Sequence, residues 1–387
     1  MPPSRKTMSN RTNSHIEMNM RGVKIPLAKP NIGDEELDAV RKVFESGMVA
    51  GGKVTEKFEE EFAKYLGVKY AIATTSCTTA LNLALLSLGI KQGDEVIIPD
   101  FTYPATGNVV FHVGARPILV DIDIMTYNVD PSAIESGITR RTKAIIPVHL
   151  FGQSADMKPI MKIAERHNLF VIEDAACGAG SSYEGKKIVT FGDVACFSFH
   201  GRKTLTTGEG GMLVTNIKAV AEKARILKND GIKIISGKSC FVCPGYNFRL
   251  SNILSSIGLV QLKKLDAMIQ RKIELANNYD EILHDLRAVK TPIKVNNAKH
   301  NYQSYCILIE KDGKRDNIIL KLSLKGIETQ IGTYALHVQP QYLKGNYTRG
   351  DLTSSTRAYM NTLALPMYDT LTRAELEYIC KNLKMCF

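Results

Sequence analysis

Seven short apolar runs alternate with segments of helical periodicity between residues 70 and 216. They are Ala71-Ile72-Ala73, Val96-Ile97-Ile98, Ile118-Leu119-Val120, Ala144-Ile145-Ile146, Phe170-Val171-Ile172, Ala195-Cys196-Phe197 and Met212-Leu213-Val214. Each is apolar at consecutive positions, not at every second one, which is the pattern of a strand covered on both faces. The expectation is an α/β fold with a mostly parallel sheet flanked by helices. Upstream, Leu37, Val40, Val43 and Phe44 recur at helical spacing and Gly47 ends the run, predicting a first amphipathic helix over residues 34 to 46. Beyond Arg249 the pattern changes to long helical segments over 251 to 283, 316 to 324 and 372 to 383, around an alternating strand at 302 to 309. This reads as a smaller α+β domain. The predicted division is a tail at 1–20, a large α/β domain at 21–249 and a small C-terminal domain at 250–387. The first 20 residues show neither periodicity and are expected to form a mobile tail.

Composition narrows the class. A chain of 387 residues, 44% hydrophobic and 23% charged, can bury a large core and exceeds a comfortable single domain. The formal charge of +11 invites a nucleic-acid reading, but five basic residues against Glu17 place +4 of it before residue 25. The excess that remains suits a phosphorylated small molecule at least as well as a polynucleotide, and no nucleic-acid partner is expected. No apolar run reaches the roughly 18 to 20 residues that span a bilayer, and the first residues lack the apolar stretch of a signal peptide. A cytoplasmic protein without a membrane partner is expected. Eight cysteines are scattered, mostly inside apolar segments, as reduced thiols are. Cys240 and Cys243 form one CxxC pair without a second pair or histidines at ligand spacing, so unliganded thiols in a surface loop are expected, and no metal site.

Polar clusters follow several of the apolar runs, where ligands gather in parallel sheets. Lys203 lies in Ser198-Phe199-His200-Gly201-Arg202-Lys203-Thr204, ahead of Gly208, Gly210 and Gly211. A Schiff-base lysine needs a site dry enough to lower its pKa and a turn that lets it swing, although a solvated surface lysine fits the same run. The glycine spacing of a nucleotide phosphate loop is missing. Asp174, in Val171-Ile172-Glu173-Asp174-Ala175-Ala176-Cys177, follows a buried strand; it suits a cationic partner such as a protonated pyridine nitrogen, or else caps a helix. Thr74-Thr75-Ser76-Cys77-Thr78-Thr79-Ala80 leads into an apolar helix and resembles an anion site, with ordinary capping accounting for one hydroxyl. Tyr103 could stack on an aromatic ring or sit in the core.

With these motifs the chain resembles the DegT/DnrJ/EryC1/StrS family of sugar aminotransferases, which depend on pyridoxal 5'-phosphate (PLP) and have the type I (aspartate aminotransferase-like) fold. The anchors are Ile25-Pro26-Leu27, Ser46-Gly47, Glu173-Asp174-Ala175-Ala176, the run from Ser198 to Gly211, Gly245-Tyr246-Asn247-Phe248-Arg249 and Tyr334-Ala335-Leu336-His337. The resemblance implies that Lys203 is the catalytic PLP lysine and that Asp174 pairs with the ring nitrogen. It implies that Tyr103 stacks on the ring, that Thr78, Thr79 and Ser198 hold the phosphate, and that Asn247 reaches the phosphate of a neighbouring subunit in a homodimer with shared sites. Cys177 stands where the family often has a glutamine against the ring hydroxyl, and a thiol bonds more weakly there. The implied reaction moves the amino group of L-glutamate to a keto-sugar, and the run from His200 to Gly211 looks like that of members that make 4-amino products from nucleotide-linked 4-keto-6-deoxyhexoses. A non-nucleotide keto-sugar or cyclitol as acceptor, or a regulatory protein with the same fold, are the alternatives. His149, Arg249 and His337 are candidate substrate contacts; packed or surface histidines and an intersubunit ion pair are equally open readings.

Overall fold

The computed structural model describes residues 24–188 and 191–387, so the tail expected at 1–20 lies outside the described residues. Two helices come first, α1 (Asp34–Ser46) and α2 (Lys53–Leu66), ended by Gly47 and Gly67 in the left-handed conformation. All seven apolar runs then become strands of one sheet: β1 (Tyr70–Thr74), β2 (Glu95–Pro99), β3 (Arg116–Val120), β4 (Thr142–Ile145), β5 (Phe170–Asp174), β6 (Val194–Ser198) and β7 (Gly211–Thr215). Their spatial order is β1-β7-β6-β5-β4-β2-β3. The strands from β6 to β3 pair in parallel, and β7 runs antiparallel to both of its neighbours.

Alternate residues of these strands enter different cores. Ala71, Ile97, Ile145, Val171 and Phe197 pack with Phe58 and Phe62 of α2 on one face. Ile72, Ile98, Ile146, Ile172 and Cys196 pack with Leu81 and Leu85 of α3 (Cys77–Leu88) on the other. Helices on both faces are why the runs carry no period-two alternation.

The second unit is an antiparallel sheet of β8 (Val289–Lys290), β9 (Tyr305–Ile309), β10 (Gln330–Ile331) and β11 (Thr362–Leu365), in the order β8-β9-β11-β10. The strand expected at 302 to 309 begins only at Tyr305, because Tyr302 adopts a left-handed turn with φ 50°. It is also buried at all five positions. Tyr305, Ile307 and Ile309 join Tyr279 and Leu376 in a helical core, whereas Cys306 and Leu308 meet Phe101 and Phe151 from the large sheet's side. Helices α5 (Asn252–Leu283), α6 (Arg315–Ser323) and α7 (Arg373–Lys384) pack on one face of this unit and the helix Thr353–Asn361 on the other, with α4 (Ala105–His112) belonging to the large sheet.

The 32-residue α5 joins the two units, burying Leu265 and Ile269 in one core and Leu275, Tyr279 and Leu283 in the other. The first described residues cross over as well: Ile25 bridges to Ile327, and Leu27 N–H donates to Glu328 Oε2 at 2.9 Å. Residues 24 to 27 thus pack against the small unit, although the predicted division places them in the large domain. Among the described residues, no helix is long and apolar enough to cross a membrane.

Candidate active site

The carboxyl ends of the parallel strands open into a cavity of about 640 Å³ that residues of both units line. Lys203 reaches it from the turn between β6 and β7. That turn is tied down by backbone bonds from Phe199 N to Gly210 O and from Thr207 N to Phe199 O, both 2.9 Å, with Gly208 at φ +86°. Lys203 Nζ donates to Cys177 Sγ at 3.2 Å. Burial pulls this ammonium's pKa down, but the Cys177 sulfur, Cys77 and Asp174 outweigh it and leave the group above the ordinary lysine value. The lowered value expected for a dry site is therefore not what the surrounding residues alone produce. A lysine beside anion-forming groups keeps its proton until something displaces or neutralises them.

Asp174 ends β5 and is 5% exposed. Its Oδ2 accepts from Thr106 Oγ1 at 2.8 Å and its Oδ1 from Ala176 N–H at 3.1 Å. No helix follows it, so the capping alternative fails. Burial raises its pKa despite both bonds, which describes a desolvated carboxylate without a cation in contact.

At the N-terminus of α3, Ser76 Oγ accepts from Thr79 N–H at 3.2 Å while Thr79 Oγ1 accepts from Ser76 N–H at 3.0 Å. This reciprocal cap spends the Thr79 hydroxyl on the helix itself. Thr79 does not line the cavity, whereas Ser76 and Thr78 do, with Ser198 facing them. The N–H groups of Cys77 and Thr78, in the first turn, have no intrahelical acceptor. Gly211 makes this approach of loop and strand possible: a Cβ there would lie 2.3 Å from the Ser76 carbonyl carbon. Tyr103 is 65% exposed beside the cavity, its ring edge-on to Tyr334.

The remaining candidates lie elsewhere. His149 is fully buried: Nδ1 accepts from Ala155 N–H at 3.1 Å, so Nε2 carries the proton and donates to Glu173 Oε2 at 2.9 Å. It does not line the cavity, and it braces β5. His337 Nδ1 pairs with Asp100 Oδ2 at 2.6 Å and lines a separate surface crevice, not this cavity. Asp100 holds the His337 pKa above the ordinary histidine value. Arg249 pairs with Asp230 and donates to Asn229 Oδ1 at 2.9 Å within its own chain, away from the cavity. Asn247 is exposed and outside the cavity of its own subunit. Cys240 and Cys243 are free thiols; Cys240 belongs to a β-hairpin (Ile232–Ile235 with Lys238–Phe241), not to a loop.

Sequence reasoning missed Thr106, Asn301, Gln303, Gln330 and Arg202. Asn301 Nδ2 donates to Cys177 O and Ala179 O, both at 2.8 Å, and fills the space where a Cβ on Gly152, φ +97°, would stand 1.8 Å from its Oδ1. No periodicity marks such polar residues, because their roles lie across the sequence and not along it.

A buried carboxylate, a lysine on a glycine-bearing turn and an open helix N-terminus thus face one cavity. Over residues 30–384 the chain matches the DegT/DnrJ/EryC1/StrS aminotransferase family. It belongs to that family. It is 39% identical over 360 residues to GDP-perosamine synthase of Caulobacter vibrioides, covering 92% of this chain and 96% of that protein. Helicobacter pylori PseC, an aminotransferase involved in the biosynthesis of pseudoaminic acid, superposes with a TM-score of 0.89 at 29% identity, covering 94% and 99% of the two chains. The PLP form of Spr1654 from Streptococcus pneumoniae gives 0.89 at 27% identity, covering 94% and 98%.

As a DegT/DnrJ/EryC1/StrS aminotransferase the chain has the type I fold and uses PLP. The cavity fits that cofactor on its own chemistry. Asp174 lacks a cation, which a pyridinium supplies; the α3 N-terminus and Ser198 offer unspent donors to a phosphate; Lys203 offers the amine.

Proposed function

We propose that the protein transfers the amino group of L-glutamate to a nucleotide-linked 4-keto-6-deoxyhexose, as a homodimer in the cytoplasm. The observation that carries the reading is the meeting of Lys203, Asp174 and the α3 N-terminus in one cavity, in a chain similar along nearly its whole length to a GDP-perosamine synthase. Bound PLP supplies an electron sink for the carbon that gains or loses the amine.

This chain's residues supply the rest. Lys203 attaches the cofactor and, when released, moves a proton at Nζ to and from the substrate carbon. Asp174, oriented by Thr106 and the Ala176 N–H, keeps the ring nitrogen protonated. Thr78, Ser76, Ser198 and the first-turn N–H groups of α3 hold the phosphate, with Thr79 acting through the cap. Tyr103 covers the ring, and Cys177 stands at the ring hydroxyl.

Three features support a second copy. Leu37, Phe44, Met48 and Val49 form an exposed apolar band on and after α1. The Ile232–Ile235 hairpin exposes Ile234, Ile235, Phe241 and Val242, more apolar surface than a two-stranded ribbon bears in water. Asn247 is exposed and does not line its own subunit's cavity, which leaves it available to a partner's phosphate. Eight cysteines, all free, support a reducing compartment.

The test loads the protein with PLP, converts it with L-glutamate and then offers nucleotide keto-sugars, following cofactor absorbance. Return of the starting spectrum with a nucleotide 4-keto-6-deoxyhexose, and product NMR with the amine at carbon 4, is expected. An amine at carbon 3, or turnover only with non-nucleotide ketones, overturns the substrate assignment.

A further inference from the structure

A second lysine is buried beside the Lys203 turn. Lys272, in α5, is 4% exposed, and its Nζ donates to Thr204 Oγ1 at 2.9 Å. Thr204 directly follows Lys203 and is gripped from its other side, its N–H and hydroxyl donating to Gln303 Oε1 at 2.9 and 3.1 Å. Gln303 Nε2 donates to Arg202 O at 2.8 Å, so both neighbours of Lys203 in the chain are held by one side chain. Gln303 N–H in turn donates to Asn301 Oδ1 at 2.7 Å, and Asn301 holds the carbonyls of Cys177 and Ala179. The turn bearing Lys203 and the loop after Asp174 therefore hang on one polar hub, to which Lys272 contributes the charge.

An ammonium there is an expensive choice. The positions of α5 that bracket it inside the two cores are Leu265, Ile269, Leu275 and Tyr279, and an apolar side chain would satisfy packing equally well. Among the described residues no carboxylate reaches salt-bridge distance of Lys272, and burial lowers its pKa to about 8, with Asp369 and Cys177 favouring the charged form and Lys203 opposing it. Lys29, Arg202 and Tyr368 complete the titratable groups around its small cavity.

We propose that Lys272 is a positioning residue for aminotransfer, fixing the Lys203 turn through Thr204. The proposal rests on the reading of Lys203 as the reacting lysine. Its test uses the full-length protein without cofactor: hydrogen–deuterium exchange read by peptide mass spectrometry follows the amides of residues 202 to 206. In K272M these amides should exchange about tenfold faster than in wild type, because the turn loses its bond to α5. K272R keeps a donor for Thr204 Oγ1 and should restore exchange to within about twofold of wild type. Folding is checked by circular dichroism, and T204V, which removes the same bond from the other side, should exchange as K272M does and serves if K272M does not fold. Exchange in the folded variants that matches wild type overturns the proposal. If borohydride reduction of PLP-loaded wild type attaches the cofactor to another lysine, the reading of Lys203 itself falls, and the labelled peptide says so.

Discussion

Burial penalises the charged form of both Lys203 and Asp174, and each is answered differently: the lysine by the Cys177 sulfur, the aspartate by Thr106 and a backbone amide, which do not suffice. Replacing Lys203 with alanine should abolish cofactor attachment, seen as no borohydride-fixed mass on any peptide, and lower turnover by about 10⁴-fold. His149 was legible as a polar residue at a strand end, but not as a brace, because its partner Glu173 is 24 residues away. H149A removes the His149 bond to the buried Glu173 carboxylate, which still accepts from Gly192 N–H at 2.7 Å, and should cost about 1 kcal/mol in urea unfolding while leaving both KM values within about twofold. A tenfold KM rise in a folded variant would return His149 to the substrate. The His337 pKa is raised in the fold by Asp100, so the stability it contributes is complete below the ordinary value of 6.5 and is lost as the pH rises through the folded value. Wild type should accordingly exceed H337Q in stability at pH 6 by at most about 1 kcal/mol, and by less at pH 9. A gap that widens with pH contradicts the pairing.

Elements were read most reliably where one physical cause dominates. The seven strands of the large sheet announced themselves because burial on both faces demands unbroken apolar runs. The strand at 305 to 309 looked alternating because the residues ahead of it, from Tyr302 on, were counted with it; the left-handed Tyr302 ends that extension. The amphipathic α1 was read correctly as a helix, yet only Val43 of its four apolar residues is buried. Its inward positions include Glu36, bonded to Gln261 and Lys264 of α5 at 2.8 Å each. Where strand meets helix, Gly211 sets how near β7 comes to the α3 N-terminus. G211A should push that helix end from the cavity and weaken PLP binding about tenfold, measured by equilibrium dialysis. Unchanged affinity would count against a phosphate at that place.

For the whole molecule, the exposed band of Leu37, Phe44 and Met48 and the apolar hairpin are surfaces one copy leaves uncovered. L37D and F44D together should raise the dimer dissociation constant at least about 100-fold in sedimentation velocity and lose turnover in proportion to the monomer formed. Active monomers would contradict a site shared between subunits. The seven strands of the large sheet, the places of Lys203 and Asp174 just after or at the ends of strands, and the family were legible from the chain alone, since each depends on residues close in sequence: an apolar run, a lysine before glycines, an acid closing a strand. The crossing of residues 24 to 27 to the small unit, the burial of His149, the diversion of His337 to another crevice and the hub of Lys272, Thr204, Gln303 and Asn301 were not. Those depend on side chains brought together from segments tens to hundreds of residues apart, and only the packing of the two units on the shared α5 decides which polar groups meet.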